Sequence, residues 1–214
     1  MNYIDTQLFL EINKDEIPKL LKCLNATIAL YKKDDIIIEE ETYVKNFGII
    51  LSGSARTIKW DSSGKQIIIT ILEKGSMIGV MLAAKQNKKS PLAVQATGDT
   101  TVLFIPFENI ILSCEKKCFC HEKLIKNYIS VIAEKGLELH ERINCLLEPT
   151  VRSKIMTFLT RQVCNTKGKT FAIPMNRNIL AEYLNIERSA LSRELSKMKK
   201  DGLIDYHKNN FKLL

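Results

Sequence analysis

Between Met175 and Ile204 the chain reads MNRNILAEYLNIERSALSRELSKMKKDGLI, two short helical periods either side of one residue suited to a reversal. Ile179, Leu180, Tyr183 and Leu184 share one apolar face, and Leu191, Leu195 and Met198 share another at i, i+4, i+7 spacing. Asn185 lies between them and tolerates the left-handed backbone that a sharp helix–helix turn needs. The pattern predicts a helix-turn-helix. Opposite the apolar seam of the second helix fall Arg188, Ser189, Ser192, Arg193, Ser196 and Lys197. Small hydroxyls interleaved with guanidinium groups suit a helix entering a DNA major groove, where Arg bonds bidentately to guanine. A solvated face on an ordinary helical hairpin would look the same, so the rest of the chain has to decide.

Charge is the first discriminator. The net charge is +8; from Thr150 onward thirteen Lys+Arg face five Asp+Glu, while residues 1–149 hold nineteen of each. The whole excess therefore surrounds the helix-turn-helix, as an electrostatic footprint for nucleic acid would require. No run of eighteen apolar residues exists to span a membrane, and MNYIDTQLFLEINKDEIPKL lacks the basic and apolar regions of a signal peptide. These features predict a cytoplasmic protein, whose six cysteines would be reduced thiols, metal ligands or redox sensors rather than disulfides.

Ahead of the helix-turn-helix the texture changes twice. Residues 1–27 predict a short helical lead with Ile17, Leu20, Leu21 and Leu24 inward. From Ala29 short runs follow one another: DIIIEE, FGIILSG, ARTIKW, KQIIITIL, MIGVMLA, LAVQAT and TVLFIP. Many short strands at even spacing predict an antiparallel jelly roll, with Gly48, Gly53, Gly64, Gly75 and Gly79 at turns and positive-φ positions. After Pro106 the pattern is helical. Ile125, Ile129, Ile132, Gly136, Leu139, Ile143 and Leu146 recur at spacings of 4, 3, 4, 3, 4, 3. A heptad seam of that kind predicts self-pairing in a homodimer; a helix packed only on its own β-domain would show a wider stripe. Pro149 ends the helix. The expected organisation is α+β, with an N-terminal antiparallel β jelly roll (1–110), a long dimerisation helix (111–148) and a C-terminal winged helix-turn-helix (149–214). The wing is LIDY and FKLL around His207-Lys208-Asn209-Asn210.

That order of parts resembles the Crp/Fnr family of bacterial transcription regulators over nearly the whole chain. LAEYLNIERSALSRELSKMKKDGLI is very similar to the family's C-terminal motif, and ILSGSARTIKWDSSGKQIIITILEKGSMIG looks like its cyclic-nucleotide-binding-type domain. The resemblance implies base reading by Arg188, Ser189 and Arg193, with Ser192 and Lys197 against the DNA backbone. It implies a pseudo-palindromic double-stranded operator, a small-molecule effector and RNA polymerase as partners. Where many members carry Glu for cytosine, this chain has Ser189, so the family's best-known operator does not transfer. Asn185 stands where a turn Gly is usual.

The sensor departs further. Nucleotide-binding relatives follow the strand Gly with a ribose-binding Glu and later place an Arg-Ser pair on the phosphate. Here Gly79 is followed by Val80 and Met81, and the pair corresponds to Ser90-Pro91. A phosphate buried without its guanidinium is costly, so these five residues mark a degenerate site and an effector other than cyclic AMP. Lys85, Lys88 and Lys89 read as a solvated basic loop.

Cys114, Cys118, Cys120 and His121 crowd into SCEKKCFCH. Packed thiols at a junction are one reading; a metal- or redox-gated regulator of the same architecture is the alternative, although the spacing fits no standard finger. No cofactor is expected. Nor is an enzyme: nucleophile elbow, P-loop and HExxH are all missing, and three dispersed His do not make a catalytic jelly roll.

Overall fold

The computed structural model describes residues 6–60, 64, 66–85, 89–112, 119–166, 168–173 and 175–214. They form two compact units, Met1–Ala133 and Glu134–Leu214. In the first unit, strands Thr27–Tyr31 (β1), Ile36–Ile38 (β2), Asn46–Ser52 (β3), Ala55–Trp60 (β4), Gln66–Leu72 (β5), Met77–Ile78 (β6), Ala93–Ala96 (β7) and Thr100–Pro106 (β8) build two sheets ordered β1-β8-β3-β6 and β2-β7-β4-β5. Every pairing is antiparallel. Side-chain alternation along β3 serves two layers at once. Phe47, Ile49 and Leu51 join the core formed with the helices, while Ile50 meets Ile38, Ala55, Ile78, Val94 and Val102 from both sheets. Gly48 is not a turn glycine: it lies inside β3, where a Cβ would stand 2.7 Å from Val102 Cγ1 and 2.8 Å from Ile78 Cγ1.

The helical layer comprises a single 3-10 turn at Gln7–Phe9, then Ile17–Cys23 (α1), Val80–Ala84 (α2), Phe107–Ile111 (α3) and Phe119–Leu147 (α4). Ile17, Leu20 and Leu24 are buried as the lead predicts. The run MIGVMLA is not one strand. After two residues of β6, Gly79 turns left-handed at φ +69 and caps α2, because the good helix formers that follow continue as a helical turn. The boundary between the units falls inside α4, which gives Leu124, Tyr128 and Val131 to the first core and Cys145 to the second.

The second unit adds Val151–Thr166 (α5), Thr170–Ala172 (β9), Arg177–Tyr183 (α6), Arg188–Lys200 (α7), Ile204–His207 (β10) and Asn210–Leu213 (β11). The three strands pair in the order β10-β11-β9. Ile155, Phe158 and Leu159 of α5 pack with Leu180, Leu184, Leu191, Leu195, Met198 and Phe211 in one core. No helix among the described residues is long and apolar enough to cross a membrane.

Candidate functional site

The helix-turn-helix forms because local chemistry closes both helices. Asn176 caps α6 through Oδ1, which accepts from the amides of Asn178 (2.9 Å) and Ile179 (3.0 Å). At the far end Asn185 is left-handed at φ +50, so the chain reverses where the sequence predicts. Two cations tie down the last carbonyls of α6: Arg142 Nε donates to Tyr183 (3.3 Å) and Lys154 Nζ to Leu184 (3.4 Å). Positive charge at a helix C-terminus also suits the dipole. Arg142 further lies 5.2 Å over the Tyr183 ring, whose hydroxyl pKa burial pushes up.

Leu191, Leu195 and Met198 hold α7 to the core at 1% exposure or less. The opposite face presents every expected base- and backbone-contacting residue to solvent: Arg188, Ser189, Ser192, Arg193 and Lys197. A groove of about 380 Å³ lies against it, lined by Ser192, Arg193, Ser196, Lys197 and Lys200. Lys200 is an addition, and its signal was available: Arg193, Lys197 and Lys200 follow i, i+4, i+7 spacing. Among the described residues none of Arg188, Arg193, Lys197 and Lys200 forms an ion pair with an acid.

The wing is the β10–β11 hairpin. Its turn puts the positive φ (+52) on Lys208 rather than on either Asn. Arg177, the first residue of α6, lies 5.1 Å over Tyr206 and 4.7 Å over Phe211, and its Nη2 donates to the Lys208 carbonyl at 2.8 Å. Desolvation under the wing lowers the Arg177 pKa from its usual value. Nothing local in the sequence announces this clamp, since its partners come 29 to 34 residues later.

Known proteins share this arrangement. The cyclic nucleotide-binding domain family matches residues 29–115, and the Crp-like helix-turn-helix domain family matches residues 153–214. The chain belongs to the Crp/Fnr family of transcription regulators. Among curated relatives it is similar to the transcriptional activator protein FnrA of Stutzerimonas stutzeri, 20% identical over 210 residues, covering 96% of this chain and 83% of that one. Among solved structures it resembles FixK2 from Bradyrhizobium japonicum at 22% identity and a TM-score of 0.55, covering 88% of this chain and 92% of that one. It also resembles the c-di-GMP-responsive regulator CLP of Xanthomonas campestris at 14% identity and a TM-score of 0.62, covering 94% and 99%. A Crp/Fnr regulator is a transcription factor and not an enzyme.

Within the Crp/Fnr sensor, the five expected pocket residues point different ways. Gly79 leaves no room for a side chain, because its Cβ would stand 2.9 Å from Val44 Cγ1. Val80 is buried in the helical core beside Phe47, and its carbonyl accepts the Tyr128 hydroxyl at 2.6 Å. That burial raises the Tyr128 pKa. Met81 and Pro91 are exposed. Ser90 is buried and donates to the Leu92 carbonyl at 2.6 Å. Beside it Lys89 faces Glu41 at 3.9 Å and lies 5.9 Å over the Tyr43 ring. Lys85 is exposed as expected, and Lys88 lies outside the described residues. A groove of about 530 Å³ opens on the β-domain between Ile36, Ile38, Tyr43, Val44, Lys45 and Phe104; Val44 and Ile38, which line it, are also the side chains that face Gly79.

Along α4 the heptad positions behave as an uncovered seam. Ile129 is 61% exposed, Leu139 49% and Ile143 52%. Gly136 is open, with no atom within 4 Å of an added Cβ. Ile125 and Ile132 are half-buried at the edge of the first core, and Leu146 is half-buried too. Of the cysteine cluster, Cys114 and Cys118 lie outside the described residues. Cys120 Sγ donates to Glu16 at 3.0 Å, and buried His121 has Nε2 2.7 Å from the Ile110 carbonyl while Nδ1 has no partner among the described residues. Among the described residues no group of metal-ligating side chains comes together.

Proposed function

We propose that this regulator works as a homodimer joined along α4, reading a pseudo-palindromic operator with Arg188, Ser189 and Arg193 on base edges and Ser192 and Lys197 on phosphates. The observation that carries the reading is the exposed face of α7, where cations with no acid partner among the described residues alternate with hydroxyls above a buried apolar seam. The uncovered apolar strip at Ile129, Leu139 and Ile143 supports self-pairing, because a monomer gains nothing by leaving it in water. Two recognition helices in such a dimer would enter successive major grooves about 34–36 Å apart.

The β-domain senses a small effector other than cyclic AMP. Val80 supports this: a ribose-binding carboxylate at that position would be buried in an apolar core. Control then follows by population shift, the effector favouring one arrangement of the dimer, with RNA polymerase as the downstream partner in the cytoplasm. The test is selection of duplexes from a randomised library, followed by footprinting and titration across salt. A two-fold symmetric sequence bound with a steep salt dependence is expected. Enrichment of no sequence, or binding indifferent to salt, would refute the reading.

A further inference from the structure

We propose that Arg152 is a positioning residue for DNA recognition, a guanidinium brace that fixes α7 so that Arg188, Ser189 and Arg193 meet base edges in register. The inference rests on the reading that the exposed face of α7 contacts DNA. Arg152, second residue of α5, places Nε 2.5 Å from Glu194 Oε1 and Nη2 2.7 Å from Asp201 Oδ2. Glu194 is midway along the recognition helix, and Asp201 caps its C-terminal end. One side chain thereby grips points seven residues, about two turns, apart on α7.

Each partner is badly placed for its own helix. A cation in the first turn of α5 and an anion at the C-cap of α7 both oppose the local dipole. Glu194 also sets a negative charge on the helix that approaches phosphate. Their mutual neutralisation removes all three penalties, and the planar fork of Arg, unlike the point charge of Lys, can serve two carboxylates at once. The hydrogen bonds to Glu194 and then Asp201 raise the Arg152 pKa, so the brace stays charged.

Three full-length variants test this: Arg152→Gln, Arg152→Lys and Glu194→Gln. On free protein with an unchanged circular-dichroism spectrum, amide exchange in the last two turns of α7 should quicken about five- to tenfold in Arg152→Gln. On a duplex that the parent protein selects, Arg152→Gln should bind about five- to tenfold more weakly, and on a scrambled duplex nearly as well as the parent. Glu194→Gln should also weaken the selected duplex, although removing a negative charge near phosphate would by itself tighten it. Arg152→Lys, with the charge kept and the fork lost, should fall with Arg152→Gln rather than with the parent.

Unchanged exchange would overturn the brace, as would tighter binding by Glu194→Gln. So would an equal loss on both duplexes with a salt slope lower by about 0.9, the mark of a direct phosphate contact. If Arg152→Gln fails to fold, Glu194→Gln and Arg152→Lys decide by the same readouts. If the parent selects no duplex, the DNA reading falls, while the exchange measurement still judges the brace.

Discussion

Replacing Ile129 by Ser asks whether the seam on α4 is an interface. Ile129 is 61% exposed. Fully burying an isoleucine stabilises by about 1.5–3 kcal/mol, so covering the exposed three-fifths contributes about 1–2 kcal/mol per chain. A two-fold interface counts each residue twice, which gives about 2–4 kcal/mol for the dimer. The dimer dissociation constant should therefore rise roughly 30- to 700-fold. The control is Leu137→Ser. Leu137 is even more exposed, at 65%, but lies eight residues further on, about 80° round the helix and off the heptad positions. Sedimentation velocity over a dilution series separates the two. Equal weakening by both variants would mean that exposure and not the heptad register drives association. No weakening by Ile129→Ser would remove the seam as an interface.

Four further outcomes follow from single contacts. Arg193→Ala should lose about 1–3 kcal/mol on a selected duplex and relax preference at one base position, whereas Lys197→Ala should weaken all duplexes alike and lower the salt slope by about 0.9; identical behaviour of the two would contradict their assigned roles. Gly79→Ala forces a side chain to φ +69 with its Cβ 2.9 Å from Val44 Cγ1, so the thermal midpoint should fall with a loss of about 1–3 kcal/mol, and an unaltered melt would show that the turn relaxes. Cys145 is buried with its thiol pKa pushed up, so a thiol reagent at neutral pH should label exposed Cys164 in the folded protein and Cys145 only after unfolding; early labelling of Cys145 would argue against its burial. Lys199 and then the Tyr206 amide hold the Asp205 pKa below its usual value, so the stabilisation is present above the unfolded pKa of about 3.9 and lost as pH falls through the folded one. Asp205→Asn should flatten that acid limb of the stability curve, and an unchanged limb would deny the pair any role.

Short-range chemistry in the sequence located the recognition unit well. Leu180, Leu184, Leu191, Leu195 and Met198 are buried at the positions their period requires, and Asn185 carries the left-handed turn. The wing hairpin closes around His207-Lys208-Asn209-Asn210 as the sequence predicts, with Lys208 in the left-handed region and its carbonyl accepting from Arg177. Two readings went astray for one reason, that a local pattern does not disclose what lies opposite. MIGVMLA is apolar throughout and so has no period to separate two residues of strand from a helical turn. Gly48 reads as a turn residue until Val102 and Ile78 are seen to fill the space above it. The Arg152 brace is invisible for the same reason, since Glu194 is 42 residues away.

The charge count needs the same refinement, and with it becomes a statement about direction. An excess of eight positive charges beyond Thr150 gives no orientation by itself. In the folded unit the cations divide by what they touch. Arg152 is taken by Glu194 and Asp201, Arg161 by Glu141 and Lys199 by Asp205. Lys154 and Arg177 are taken by backbone carbonyls. Three of the five acids in this segment are thus used to hold elements in place, each against a cation that does the holding. Among the described residues Arg188, Arg193, Lys197 and Lys200 remain without an acid on α7, and Lys169, Lys208 and Lys212 remain without one on the three-stranded sheet and its turns. Structural pairing therefore takes three cations of this segment into the fold and leaves four on the exposed face of α7, the helix proposed to meet DNA, where each can release a condensed counterion on binding.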